Sequence, residues 1–130
     1  MKPPPILAIA LAAALFALGG CATTAATRPD RPAAALGQAA RVGPLTIEPL
    51  VLIEDSRCPV EVKCIWAGRL VIRAAVTIAG RRDTRDLTLG TPQPVGQGQL
   101  VLAAATPVKR ATAVLRPRNY RFIFAYTAGL

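Results

Sequence analysis

Tyr120-Arg121-Phe122-Ile123-Phe124-Ala125-Tyr126 alternates without a break: Tyr120, Phe122, Phe124 and Tyr126 fall on one face of an extended chain, and Arg121, Ile123 and Ala125 on the other. A helix would scatter the same residues around its circumference, so the stretch predicts a strand with one aromatic face. Such a face either packs into a core or offers a stacking platform to a ligand. Core is the simpler expectation, with Phe122 and Phe124 its central members. Working outward, Pro117-Arg118-Asn119 is a turn that feeds this strand. Before it come Thr112 to Leu115, a break at Pro107, and Leu100 to Ala105; Gly90 to Gly98 (GTPQPVGQG) has the composition of a loop. Leu70 to Ala79 is rich in Val and Ile and ends at Ala79-Gly80-Arg81-Arg82, a hairpin turn into Asp83 to Leu89. Leu45, Ile47 and Leu50 to Ile53 form a first strand interrupted at Pro49, which places that part at an edge or a bulge. Six to seven short strands and no convincing amphipathic helix predict an all-β domain over residues 41–130, a small antiparallel β-sandwich or barrel.

Composition bounds the chemistry. With 130 residues there is room for one ordinary domain. Hydrophobic residues make up 52% and charged residues 18%, too apolar a balance for a chain disordered throughout. Histidine is absent and Met1 is the only methionine, which excludes Ser-His-Asp and Cys-His catalysis, His-ligated zinc or haem, and thioether copper sites. There is no glycine-rich phosphate loop, and neither a cofactor nor a metal is expected.

Residues 1–20 read as a signal peptide. Lys2 supplies a positive start, and Ile6 to Leu18 is an uncharged run of thirteen residues. As a helix that run spans about 20 Å against the ~30 Å hydrocarbon core of a bilayer, too short for a permanent span. Leu18-Gly19-Gly20-Cys21 resembles the lipobox of bacterial lipoproteins. The resemblance implies cleavage before Cys21 and a diacylglyceryl group on its sulfur, and two or more acyl chains hold a protein stably on a membrane. By the sorting rule the resemblance brings with it, Ala22 does not match the aspartate that retains lipoproteins at the inner membrane. The implied location is the bacterial cell envelope, at the outer membrane facing the periplasm. Residues 21–40, with Pro29 and Pro32 and few core residues, then read as a flexible tether reaching roughly 25 Å, in which Ala33 to Ala40 has the alternative of a short helical turn.

With Cys21 assigned to lipid, Cys58 and Cys64 remain as an even pair beyond an oxidising export step, which reads as a disulfide. Their spacing differs from the CxxC of redox dithiols. Asp55 and Ser56 suit turn hydrogen bonds, Pro59 stiffens the loop, Trp66 is expected to pack over the disulfide and into the core, and Gly68 suits a bulge or a tight backbone approach. The run Glu54-Asp55-Ser56-Arg57-Cys58-Pro59-Val60-Glu61-Val62-Lys63-Cys64-Ile65-Trp66-Ala67-Gly68 resembles the DSRCP and CIWAG segment of small exported bacterial proteins and lipoproteins of unknown function. That resemblance implies a β-domain with a cysteine loop near its start, and no assigned activity. A rigid Ser56-Arg57-Cys58-Pro59 loop presented to a partner is the functional alternative to a purely structural role.

The chain carries a formal charge of +9. Asp86 is the last acid, and the 44 residues after it include Lys109, Arg110, Arg116, Arg118 and Arg121, candidates for an anionic ligand. In an envelope the anions at hand are lipopolysaccharide phosphates, phospholipid headgroups and peptidoglycan carboxylates, so nucleic acid is not an expected partner. Around Arg81, Arg82 and Arg85, the interleaved Asp83 and Asp86 read as a solvated strand edge. The leading expectation is a non-enzymatic, lipid-anchored envelope protein with a binding or structural role through its basic β-domain. A protein-recognition or inhibitor module using the Cys58–Cys64 loop is the second. An acid/base enzyme would need converging carboxylates; Glu54, Asp55 and Glu61 are the clustered candidates, and neighbouring Arg57 and Lys63 make ion pairing the simpler account.

Overall fold

The structure, a computed structural model, describes residues 29–129 together with Met1, Gly19 and Gly20. The signal-peptide run and Cys21 lie outside the described residues, as does the tether up to Arg28.

The described residues form eight strands: β1 (Ala33–Ala34), β2 (Ala40–Val42), β3 (Leu45–Asp55), β4 (Leu70–Ile78), β5 (Arg81–Thr88), β6 (Gln93–Val95), β7 (Gly98–Thr106) and β8 (Arg121–Ala128). They form two four-stranded antiparallel sheets, β2-β3-β4-β5 and β1-β8-β7-β6. One core joins them, with Leu45, Ile47, Ile72, Val76 and Leu87 from the first sheet meeting Leu100, Leu102, Phe122 and Phe124 from the second. The all-β expectation is met, and between sandwich and barrel the answer is a sandwich.

Tyr120, Phe122 and Phe124 are buried, and the Tyr120 and Phe122 rings stack with centroids 5.8 Å apart. Burying each Phe stabilises by roughly 2–3 kcal/mol. Tyr126 stays half-buried and donates its hydroxyl proton to the Val95 carbonyl at 3.0 Å. Gly98 makes room for it, since a Cβ there would overlap the Thr127 carbonyl and the Tyr126 hydroxyl. The β4–β5 hairpin turns at Ala79-Gly80, with φ of 49° and 75°, the two positive values of the turn that matches strand twist.

Pro49 is tolerated within β3 because β2 pairs only with Leu45 to Ile47, leaving the Pro49 side free of a strand neighbour. The register against β4 shifts between Pro49 and Val51 and again between Leu52 and Glu54. Both the edge and the bulge read from this proline are therefore present.

Four expectations need correction. The fold includes residues before 41: Asp30 accepts from Gly43 N, and Arg31 bridges to Arg41. Ala33 and Ala34 pair with Ile123 and Phe122, and Ala34, Ala35 and Ala40 are buried, because methyl-sized side chains fit where β1 and β2 cross between the sheets. Ala33 to Ala40 contains a turn at Leu36-Gly37 and no helix. Thr112 to Leu115 is not a strand; it follows a turn in which Ala113 N donates to the Arg110 carbonyl, and Leu115 packs against the core. Gly90 to Gly98 contains β6, an edge strand that accommodates Pro94 because its outer side has no partner to satisfy. With these short strands the count is eight rather than six to seven.

Candidate functional site

β3 and β4 end at Asp55 and Leu70, and β7 and β8 end at the same pole of the sandwich with Thr106 and Arg121. The two long connections, Ser56 to Arg69 and Pro107 to Tyr120, leave from there.

Asp55 points inward opposite Leu70, and its side chain is only 7% exposed. A buried carboxylate needs partners. Arg57 grips it with two bonds, Nε to Oδ1 at 2.8 Å and Nη2 to Oδ2 at 2.9 Å, and the Tyr120 hydroxyl donates to Oδ2 at 2.7 Å. The same guanidinium donates to the Ala105 and Pro107 carbonyls, and Lys109 Nζ donates to the Asp55 carbonyl at 2.7 Å. Asp55 thus links the two sheets at this pole. Burial alone would raise its pKa, but the hydrogen bonds from Arg57 and Tyr120 and the Arg57 charge outweigh burial and hold it at about 2. Burial, then the bond to Asp55, pushes Tyr120 up to about 12.

The base of the cysteine loop is closed next. Ser56 N donates to the Arg69 carbonyl at 2.8 Å, Arg69 N donates to Ser56 Oγ at 3.0 Å, and Arg69 Nε donates to Glu54 at 2.7 Å. Bonds from Ser56 and Arg69 lower the Glu54 pKa. Gly68 is required here, since a Cβ would overlap the Ser56 carbonyl, the tight approach expected of it. Further out, Cys58 and Cys64 form the expected disulfide with a Cα–Cα distance of 5.9 Å. The Pro59 carbonyl accepts from Val62 N at 3.1 Å, so Pro59 opens a turn inside the ring. The second connection docks alongside: Val60 N donates to the Lys109 carbonyl at 3.0 Å, and Glu61 accepts from Ala111 N at 2.9 Å and Arg110 Nη1 at 3.3 Å.

Trp66 departs from expectation. It is 82% exposed and its neighbour Ile65 92%, instead of packing over the disulfide into the core. Asp55, Arg57 and Tyr120, bonded to one another, occupy this pole of the core instead. Val60, Val62, Val108 and Val114 are exposed on the same pair of connections. Sequence reading passed over Ile65 and these valines; the available signal was an apolar group inside a segment with no strand neighbour to cover it.

The five basic candidates divide. Lys109 and Arg110 fasten the second connection to the first. Arg116, Arg118 and Arg121 are exposed and gather at the 3₁₀ turn Pro117–Asn119, where Arg121 Nη1 donates to the Tyr120 carbonyl at 3.0 Å. Among the described residues these three arginines and the exposed Lys63 form no ion pair. Elsewhere Arg73 pairs with Asp86, Arg82 with Glu48, and Arg85 with Asp83, while Arg31, Arg41 and Arg81 form no ion pair among the described residues. Glu54, Asp55 and Glu61 do not converge, each facing a different arginine. Among the described residues no three His, Cys, Asp or Glu side chains form a metal-holding group. At the opposite pole, an open groove of roughly 500 Å³ between Pro92, Pro94, Gln99 and Thr127 has no charged lining.

What fold and surface define together is a small β-sandwich bearing a disulfide-clipped loop with an apolar tip beside unpaired cations. No family model, curated protein or solved structure matches the chain.

Proposed function

We propose that this chain is a non-enzymatic, lipid-anchored binding protein of the bacterial cell envelope, which engages an anionic envelope component with the cysteine-loop pole of its sandwich. The observation that carries the reading is the number of exposed cations at one pole: Lys63, Arg116, Arg118 and Arg121 have no carboxylate partner among the described residues, and the other arginines without one, Arg31, Arg41 and Arg81, stand apart from this pole. Unpaired cations on neighbouring connections create a local positive potential that attracts anionic surfaces. The lipobox-like Leu18 to Cys21 supports the anchor and the envelope location.

The exposed Ile65 and Trp66 on a clipped loop support a second reading, recognition of an envelope protein. Retention of the full chain on anionic vesicles, lipopolysaccharide and peptidoglycan, washed at low and high salt, tests the two. Retention lost at high salt supports the anionic ligand. Absence of retention on all three overturns it. A defined protein partner that survives high salt and is lost in a folded Cys58→Ser/Cys64→Ser variant establishes the second.

A further inference from the structure

An exposed Trp beside an exposed Ile needs an explanation, since such residues are ordinarily among the first to be covered. Ile65, Trp66 and Val114 are 92%, 82% and 89% exposed, and they sit on two connections tied together through Glu61. Those connections also carry Lys63, Arg116 and Arg118, and Arg121 opens β8 beside them, all without carboxylate partners among the described residues. An apolar tip with an indole, at the same pole as these cations, matches the two layers of an anionic bilayer surface. The indole suits the headgroup boundary and the cations suit the phosphates. A protein partner would need an apolar pocket with an acidic rim, for which nothing in the chain argues. A second copy of this domain is disfavoured by the same positive charge.

Resting on the anionic-ligand reading above, we propose that the ligand is the anionic lipid of the bilayer that holds the anchor, and that the Ile65-Trp66 tip is a second membrane contact. Chain lengths permit this. The domain joins its N-terminal segment at the far pole, where Asp30 Oδ1 accepts from Gly43 N at 3.2 Å. The eleven residues of β3 set the distance between poles at about 36 Å. The residues from Cys21 to Arg28 reach at most about 28 Å when extended, too short for the sandwich to invert and stand on its tip, and long enough for it to lie along the surface. In that posture both poles meet the headgroups. The tether also raises the effective concentration of lipid at the tip, so a weak contact suffices.

Trp66 is the only tryptophan in the chain, so its fluorescence reports this contact alone. The full chain is reconstituted through its N-terminal region into vesicles of phosphatidylcholine with or without phosphatidylglycerol, each with and without brominated acyl chains. The expected result is Trp66 emission shifted to shorter wavelength, quenched by brominated lipid and shielded from aqueous iodide, only where phosphatidylglycerol is present. Arg116→Gln/Arg118→Gln/Arg121→Gln lowers the docked-to-free ratio by about 100-fold, roughly fivefold per arginine. Trp66 equally open to iodide in both lipid compositions overturns the inference. If salt-sensitive retention on lipopolysaccharide or peptidoglycan persists in that case, the anionic-ligand reading stands without it. Shielding that arises only on adding an envelope protein fraction also overturns it, in favour of a protein partner.

Discussion

Tyr120→Phe removes one oxygen and isolates what the polar cluster between the sheets contributes. Asp55 titrates at about 2 against an ordinary 3.8, and at about 1.4 kcal/mol per pKa unit that difference is worth roughly 2.5 kcal/mol of folding free energy at neutral pH. Arg57 and the Tyr120 hydroxyl share it. A hydrogen bond to a buried carboxylate contributes about 1.5–2 kcal/mol, so Tyr120→Phe should lose that amount at pH 7 and lower Tm by roughly 10 °C. The sign of the pH dependence is set by the direction of each shift. Asp55 is depressed in the folded state, so its stabilisation is full above about pH 4 and fades as pH falls toward 2. Tyr120 is raised, so its stabilisation is full below pH 10 and fades as pH rises toward 12. The difference between wild type and Tyr120→Phe should therefore be widest at neutral pH and narrow at both extremes. Urea unfolding followed by far-UV circular dichroism reads this, because exposed Trp66 is a poor reporter of the core. Tyr126→Phe is the control: its partner is the neutral Val95 carbonyl, and its cost of about 1 kcal/mol should not change between pH 7 and pH 3. A Tyr120→Phe penalty below about 0.5 kcal/mol at pH 7, or one unchanged at pH 3, would refute the coupling of Tyr120 to the Asp55 charge.

Cys58→Ser/Cys64→Ser should cost about 2 kcal/mol in thermal unfolding while preserving the circular dichroism spectrum, because the loop is closed independently by Ser56 and Arg69. Gly68→Ala forces a Cβ into the Ser56 carbonyl and should destabilise by at least about 2 kcal/mol in the same assay. Trp66→Ala, by contrast, should leave unfolding within about 0.5 kcal/mol of wild type, since the indole is exposed. Ala79→Asn places a residue that tolerates φ near 49° in the β4–β5 turn and should raise stability by about 0.5 kcal/mol in urea unfolding.

The strands with strong side-chain alternation were legible. β8 and the β4–β5 hairpin follow from aromatic, Val and Ile periodicity and a turn with Gly80, and the bulge near Pro49 follows from a missing N–H. β1 and β2 were not, because alanine carries little hydropathy signal and is equally at home in a linker, while its burial depends on the aromatic strand it meets. At the candidate site, the cysteine pairing and the close approach at Gly68 are local and were readable. The placement of Trp66 is not local. The pole beneath it is occupied by Tyr120, 65 residues beyond Asp55, whose hydroxyl bonds that carboxylate. Lys109 and Arg110 were read as surface charge for the same reason, since their partners lie on the other connection.

Among the described residues β8 follows the other seven strands in the chain, yet it lies between β1 and β7, and its Phe122 and Phe124 belong to the core. Ala34, near the start of the domain, waits for Phe122 as its partner. Such distant pairings form slowly. Until residues 121–128 arrive, the second sheet has no centre and the first has nothing to pack on. If the chain is exported as proposed, a core that closes only when β8 joins it would leave the polypeptide open and threadable until then.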